Sequence, residues 1–132
     1  AYRQYALPEA RRVVQAIQAA GGLVICHNSE EKPAGLQAQA EQGVDVLSVG
    51  PGLDLAEARK AVGDRVCLVG NIDPIRVLER GTPRSVREEV KRLMAIGRAS
   101  GGWIFNSGEM IPRDTPEANM AALRDAVREF GG

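Results

Sequence analysis

Imidazole, thiol and aromatic groups are scarce in this chain: among 132 residues there are one histidine, two cysteines, one tryptophan, two tyrosines and two phenylalanines. Any role that needs an imidazole therefore falls to His27. Cys26 and Cys67 sit in the apolar segments "LVIC" and "VCLVG", where a thiol behaves as a small hydrophobe. No disulfide is expected from them, and they lack the spacing of a zinc finger. An excess of one charge is also missing, since 17 basic side chains balance 17 acidic ones. Without a net field or a run of like charge, the chain is not expected to hold nucleic acid. Its apolar runs are only a few residues long, far below the roughly 20 that span a bilayer, and its start has no signal-peptide pattern. These absences predict a cytoplasmic protein with no membrane or nucleic-acid partner. What is present, 44% hydrophobic residues, is enough for one domain with one core.

Four short apolar segments alternate with amphipathic or capped ones, the pattern of βα units on a parallel sheet. The expected strands are 23–27, 45–49, 66–70 and 103–106. Each is nearly continuous in apolar residues, which predicts central strands covered on both faces. Leu7, Ala10, Val14 and Ile17 recur at helical spacing before the first strand, and Gly21-Gly22 stops that helix. Pro33 opens a weaker helix ending near Gly43, and Asp54 with Glu57 starts another that ends at Gly63. Asp73-Pro74, Thr82-Pro83 and Thr115-Pro116 each place an N-cap residue ahead of a proline at the first helical position. The long helix carries Val86, Val90, Leu93 and Met94 on one face, and the last carries Met120, Leu123, Val127 and Phe130. The order αβαβαβαβα suits a doubly wound sheet or half of an eight-stranded barrel. A half barrel would leave two open edges and an apolar inner face for another chain to cover.

In both architectures function collects at the carboxyl ends of the strands. The loops there are "CHNSEEKP", "SVGPGLD", "VGNIDP" and "FNSGEMIPRD". Gly50-Pro51-Gly52 either offers backbone N–H groups to a phosphate or makes a plain tight turn; it lacks the third glycine of a dinucleotide fingerprint, and Pro51 removes one donor. No P-loop, serine elbow or Cys-His nucleophile pattern is present. His27 and Glu109 both lie just past strand ends, so they are the candidate catalytic pair, either as zinc ligands or as partners in acid–base work. A hydrogen-bonded histidine at a strand end is the plainer account of His27, and the two readings stay open here. Asn71, Asp73 and Asn106 share these loops; Asn71 and Asn106 are candidates for substrate contact, and Asp73 is explained as a helix cap.

The segments "YALPEARRVVQAI", "GVDVLSVGPGLDLAEARKAVGDRVCLVGNIDP", "GTPRSVREEVKRLM" and "GGWIFNSGEMIPRDTPEANMAALRDAVREFG" resemble the carboxy-terminal part of the uroporphyrinogen decarboxylase superfamily. The most specific marks are "DLAEARKAVGDRV" running into "GNIDP", and the ending "FNSGEMIPRDTP". The resemblance implies four βα units of a (β/α)8 barrel, a half barrel with parallel strands and outer helices, spanning 1–132 as the C-terminal half of such a domain. It also implies an amino-terminal half outside this stretch.

Two chemistries follow from the resemblance. The decarboxylases of this superfamily remove carboxyl groups from the acetate side chains of uroporphyrinogen III without metal or organic cofactor, and their "NLGHG" segment places a histidine where this chain has Glu109. Their usual aspartate-tryptophan after the second of these strands is Gly50-Pro51 here. The methyltransferases of the other branch move a methyl group between a corrinoid and a thiol, with zinc held by a His-x-Cys pair and a distant cysteine. His27 matches the first zinc ligand, Ser29 stands in place of the second, and Glu109 in place of the third. The resemblance thus implies a divergent, methyltransferase-like member first and a tetrapyrrole carboxy-lyase second. Its ligand would be a corrinoid or a tetrapyrrole, with zinc in the first case and no cofactor in the second. Catalysis in either branch draws on both halves, so the 132 residues by themselves are expected to be inactive and to associate with the missing half or with themselves.

Overall fold

The computed structural model describes residues 1–99 and 101–132. Helix α1 (Leu7–Ala19) follows a wider helical turn at Tyr2–Ala6 and leads to strand β1 (Ile25–Cys26). Then come α2 (Pro33–Ala40), β2 (Val46–Ser48), α3 (Leu55–Val62), β3 (Cys67–Ile72), α4 (Pro83–Ala99), β4 (Trp103–Ser107) and α5 (Glu117–Phe130). Between β3 and α4 a short helical segment, Pro74–Glu79, is wound more loosely than an α-helix, as the bond from Arg80 N–H to the Ile75 carbonyl five residues back shows. Among the described residues no helix is long and apolar enough to cross a membrane.

The four strands form one parallel sheet in the order β1-β2-β3-β4. A doubly wound sheet needs a reversal of strand order, because right-handed crossovers reach the second face only when the chain steps the other way. Here every step is in the same direction, so all the helices lie on one face, which is the arrangement of half a barrel. A single core fills that helix-covered side. Leu47, Val49, Leu68 and Ile72 reach it from the strands and meet Leu36 of α2, Leu55 and Val62 of α3, and Val90 and Leu93 of α4.

The other face is open. Strand register puts Ile25, Val46 and Cys67 in one row and Ser48, Val69 and Ile104 in the next, all directed away from the helices. Leu23 is 80% exposed, Ile25 63% and Ile104 49%. Coverage on both faces, expected from the apolar runs, is therefore not what the 132 residues provide. Apolar composition records where a strand sits in the complete sheet, whereas β1 and β4 are edges of this one. The edge position also shortens β1 to two residues: two residues past Cys26 the N–H of Asn28 turns to the Ser48 hydroxyl at 2.8 Å.

Three of the four expected caps form and one does not. Asp54 accepts from the N–H groups of Ala56 and Glu57, and Asp73 from those of Ile75 and Arg76. Helix α4 has a reciprocal cap in which Thr82 Oγ1 accepts from Ser85 N–H at 3.2 Å and Ser85 Oγ accepts from Thr82 N–H at 2.8 Å. Thr115 does not cap α5. That helix begins at Glu117 with Pro116 as its cap residue, and the Thr115 hydroxyl is buried without a partner.

Candidate functional site

The four loops at the carboxyl ends of the strands meet on one turn, Gly50-Pro51-Gly52. The β1–α2 loop is fastened to it and to β2 by a series of bonds. Ser48 Oγ accepts from Asn28 N–H and donates to the Asn28 carbonyl at 2.6 Å, the Glu30 carbonyl accepts from Gly50 N–H at 3.1 Å, and Glu31 Oε1 accepts from Gly52 N–H at 2.9 Å. From β3, the Asn71 amide donates to the carbonyls of Gly50 at 2.9 Å and Leu53 at 2.6 Å. From β4, Gly108 donates its N–H to the Ile72 carbonyl and lies so close to Pro51 that a Cβ there would meet the proline ring and backbone at 2.8–2.9 Å. Gly50-Pro51-Gly52 is consequently a tight turn and not a phosphate cradle. Both of its glycine N–H groups are already bonded, one of them to a carboxylate of the chain itself.

His27 lies just beyond β1 with its side chain exposed, and among the described residues no hydrogen bond holds its ring. Glu109 is half-buried beyond β4, where Oε2 accepts a long bond of 3.4 Å from Met110 N–H. Asn106 is exposed on the open face, its Oδ1 accepting from Ser107 N–H at 2.9 Å. Asn71 is 5% exposed and spends its amide hydrogens on the turn. His27 and Glu109 belong to opposite edges of the sheet. Three strand spacings, roughly 14 Å along the sheet, lie between the strands that carry them.

That separation decides how zinc fits. Ligands of one zinc ion stand about 2.0–2.3 Å from it and so must converge within about 4 Å of one another. Among the described residues no group of three or more His, Cys, Asp or Glu side chains is placed to hold a metal. The donors among the described residues do not by themselves make a zinc site.

Beside the turn is a cleft of about 440 Å3 lined by Pro51, Gly52, Asn71, Asp73, Arg76 and Arg92, among others. Its charges are paired with one another. Arg76 Nε donates to Asp73 Oδ2 at 2.6 Å, and Arg92 bridges Asp54 and Glu89, each at 2.8 Å. Burial pushes the Asp73 carboxyl up, but the backbone N–H and guanidinium of Arg76 and the N–H of Ile75 outweigh it and hold the group below the usual carboxylate range. Asp54 behaves alike: burial is again the largest single influence, overcome by Arg92 and the N–H groups of Ala56 and Glu57. These arginines are neutralised and anchor loops.

Hydropathy and motif reading missed Ser48, Glu31 and the bracing role of Asn71. All three bond to backbone that is distant in sequence, for which a single sequence carries no periodic signal. Glu31 directly follows Glu30 in a polar loop and looks there like ordinary solvated charge.

The family model for uroporphyrinogen decarboxylase (URO-D) matches residues 1–130. A uroporphyrinogen decarboxylase of Chlorobium phaeovibrioides is 36% identical over 132 residues, covering 97% of this chain and 37% of that protein. The namesake from Methylobacillus flagellatus is 36% identical over 130 residues, covering 96% and 36%. Among solved structures, a methyltransferase from Methanosarcina mazei superposes with a TM-score of 0.80 at 23% identity, over 99% of this chain and 37% of that one. At that identity the likeness concerns the fold. The chain spans a little over a third of the length of the curated relatives it matches.

Proposed function

Since the chain belongs to the uroporphyrinogen decarboxylase family, we propose that it supplies the C-terminal four βα units of a carboxy-lyase acting on a tetrapyrrole, the strand-end loops forming part of the substrate mouth. The observation that carries this reading over methyl transfer is the donor set: one imidazole, with a serine and a carboxylate in place of thiolates and the carboxylate at the far edge of the sheet. Decarboxylation of an acetate side chain breaks the bond between its methylene and carboxyl carbons. Carbon dioxide leaves, the electron pair stays on the methylene carbon conjugated with the pyrrole, and a proton completes the methyl group. Glu109 is the candidate to deliver that proton or to hydrogen-bond the substrate, and Asn106, an exposed amide on β4, is the candidate for a further substrate contact. Asn71 contributes by holding the turn under the mouth.

Methyl transfer between a corrinoid and a thiol is the second reading, favoured by one observation: His27 is exposed, and among the described residues no hydrogen bond holds its ring, where the zinc-dependent branch has its first ligand. Zinc would then need donors from outside these 132 residues. The uncovered inner face and the sheet edges at β1 and β4 suit such a complement, whether the remaining strands of the barrel or a second copy of the chain.

Anaerobic titration with uroporphyrinogen III, assayed for carbon dioxide release by the assembled protein, tests the first reading. Saturable binding is expected, with turnover that falls about a hundredfold or more in Glu109→Gln, the scale of a positioned acid or base. Stoichiometric zinc that is lost in His27→Ala, with corrinoid but no porphyrinogen binding, would overturn it in favour of methyl transfer.

A further inference from the structure

The loops that carry His27 and Glu109 lie at opposite edges of the sheet, yet both are fixed to the same three residues. From the β1 side the Glu31 carboxylate takes Gly52 N–H, and the Glu30 carbonyl takes Gly50 N–H. The fit there is close, because a Cβ on Gly52 would lie 2.5 Å from the Glu31 carboxylate, and one on Gly50 would lie 2.7 Å from Glu31 Cγ and 2.8 Å from the Ser29 carbonyl oxygen. From the β4 side Gly108 presses on Pro51 at distances that leave no room for a methyl group. From beneath, Asn71 holds the carbonyls that flank the turn. Proline stiffens the middle of this bridge by fixing its φ, so a displacement on one side is not easily absorbed before it reaches the other.

We propose that Glu31 and Gly108 are positioning residues, and that the Gly50-Pro51-Gly52 turn between them sets the relative placement of His27 and Glu109. The coupled path is Glu31 to Gly52, through Pro51, to Gly108 and Glu109. Its physical basis is a contiguous series of hydrogen bonds and backbone contacts at close range, the kind of connection through which a local change is carried. The inference rests on the proposed function only in taking the loops that carry His27 and Glu109 as parts of the substrate mouth. It concerns geometry and holds for either reaction.

Because His27 is the only histidine, its ring Cε1–H gives one assignable proton resonance, and that resonance is the probe. Gly108→Ala changes the β4 side alone. It is expected to displace Pro51, to shift the His27 resonance, and to speed hydrogen exchange of the amides at 30–32. In the other direction, Glu31→Ala is expected to move the backbone resonances of Gly108 and Glu109 and to raise exchange at Gly52 about tenfold, the scale of losing one hydrogen bond to a charged acceptor. Glu31→Gln keeps an acceptor oxygen and should restore most of the wild-type spectrum.

Asn119→Ala is the control. Buried Asn119 ties α5 to the carbonyls of Leu78 and Gly81, so the variant loosens the fold without touching the turn. The proposal is overturned if folded Gly108→Ala leaves His27 unchanged, or if Asn119→Ala moves His27 as much as Gly108→Ala does. Should Gly108→Ala not fold, the two Glu31 variants decide the matter from the opposite side: an unmoved Glu109 region in Glu31→Ala overturns the coupling. Loss of porphyrinogen turnover bears on the reaction and leaves these spectra untouched, so the two ideas fail separately.

Discussion

Asn71 shows how a residue type suited to substrate contact can be used by the fold instead. Its side chain sits at the carboxyl end of β3, where recognition residues of barrels gather, but its amide hydrogens lie against the Gly50 and Leu53 carbonyls. Replacing it by alanine would strand the Leu53 carbonyl and leave the Gly50 carbonyl with only a long bond of 3.4 Å from Leu53 N–H. Asn71→Ala is therefore expected to cost about 2–3 kcal/mol in urea denaturation, the scale of stranding buried polar groups. An unchanged midpoint would mean that water or a rearranged loop satisfies both carbonyls. Asp45 plays a comparable part at the other end of the sheet, where Oδ2 accepts from Val24 N–H at 2.8 Å and from Gln18 Nε2 at 3.1 Å. The Val24 bond first, and then the Gln18 bond, hold its carboxyl below the ordinary value against the opposing influence of burial. The native carboxyl thus binds its proton less readily than the unfolded chain does. Its stabilising contribution is complete above the unfolded pKa of about 3.9 and is lost as pH falls through the lower native value. Melting curves between pH 6 and pH 2 should accordingly be flatter for Asp45→Asn than for the wild type, and equal slopes would remove Asp45 from the account of acid unfolding.

The two threonine-proline helix starts look alike in sequence and fold differently. Ahead of α4, Ser85 stands three residues after Thr82 and completes a reciprocal cap. Asn119 stands four after Thr115 and is drawn instead to the Leu78 and Gly81 carbonyls, and α5 starts later, beyond Pro116. Thr82→Ala should cost about 1 kcal/mol, as loss of a helix cap does. Thr115→Val should be neutral or stabilising, because it removes a buried hydroxyl that has no partner. A cost of similar size in both variants would show that Thr115 has a bonding role after all. Element type and order were legible because they depend on local periodicity and capping chemistry. The ends of β1 and the start of α5 were not, since each depends on a partner far along the chain, Ser48 in one case and the carbonyls near Gly81 in the other. The candidate site divides in the same way. The loops are readable as positions after strands, whereas the turn that joins them depends on which side chains reach Gly50 and Gly52 in space.

At the scale of the molecule, strand order settled what the alternation of elements left open, since the same αβ repeat serves a doubly wound sheet and a half barrel until the direction of each crossover is known. The consequence is a sheet with Leu23, Ile25 and Ile104 exposed on one face and none of the chain's own helices to cover them. Charge does little to keep such faces apart. The formal net charge is +0 at pH 7 and the isoelectric point is near 6.9, so repulsion between copies is weakest close to neutrality. Self-association measured by light scattering should therefore peak near pH 7 and weaken toward pH 5 and pH 9, where net charge of either sign builds up. Ile25→Lys with Ile104→Lys tests whether the open face is responsible. Both side chains are exposed, so the pair should change stability by no more than about 0.5 kcal/mol per site while placing two charges on the face itself. Loss of the scattering maximum in a variant that melts like the wild type would locate the contact on the inner face. A maximum that merely moves to higher pH, following the added charge, would show that copies meet elsewhere and that the open face is not what brings them together.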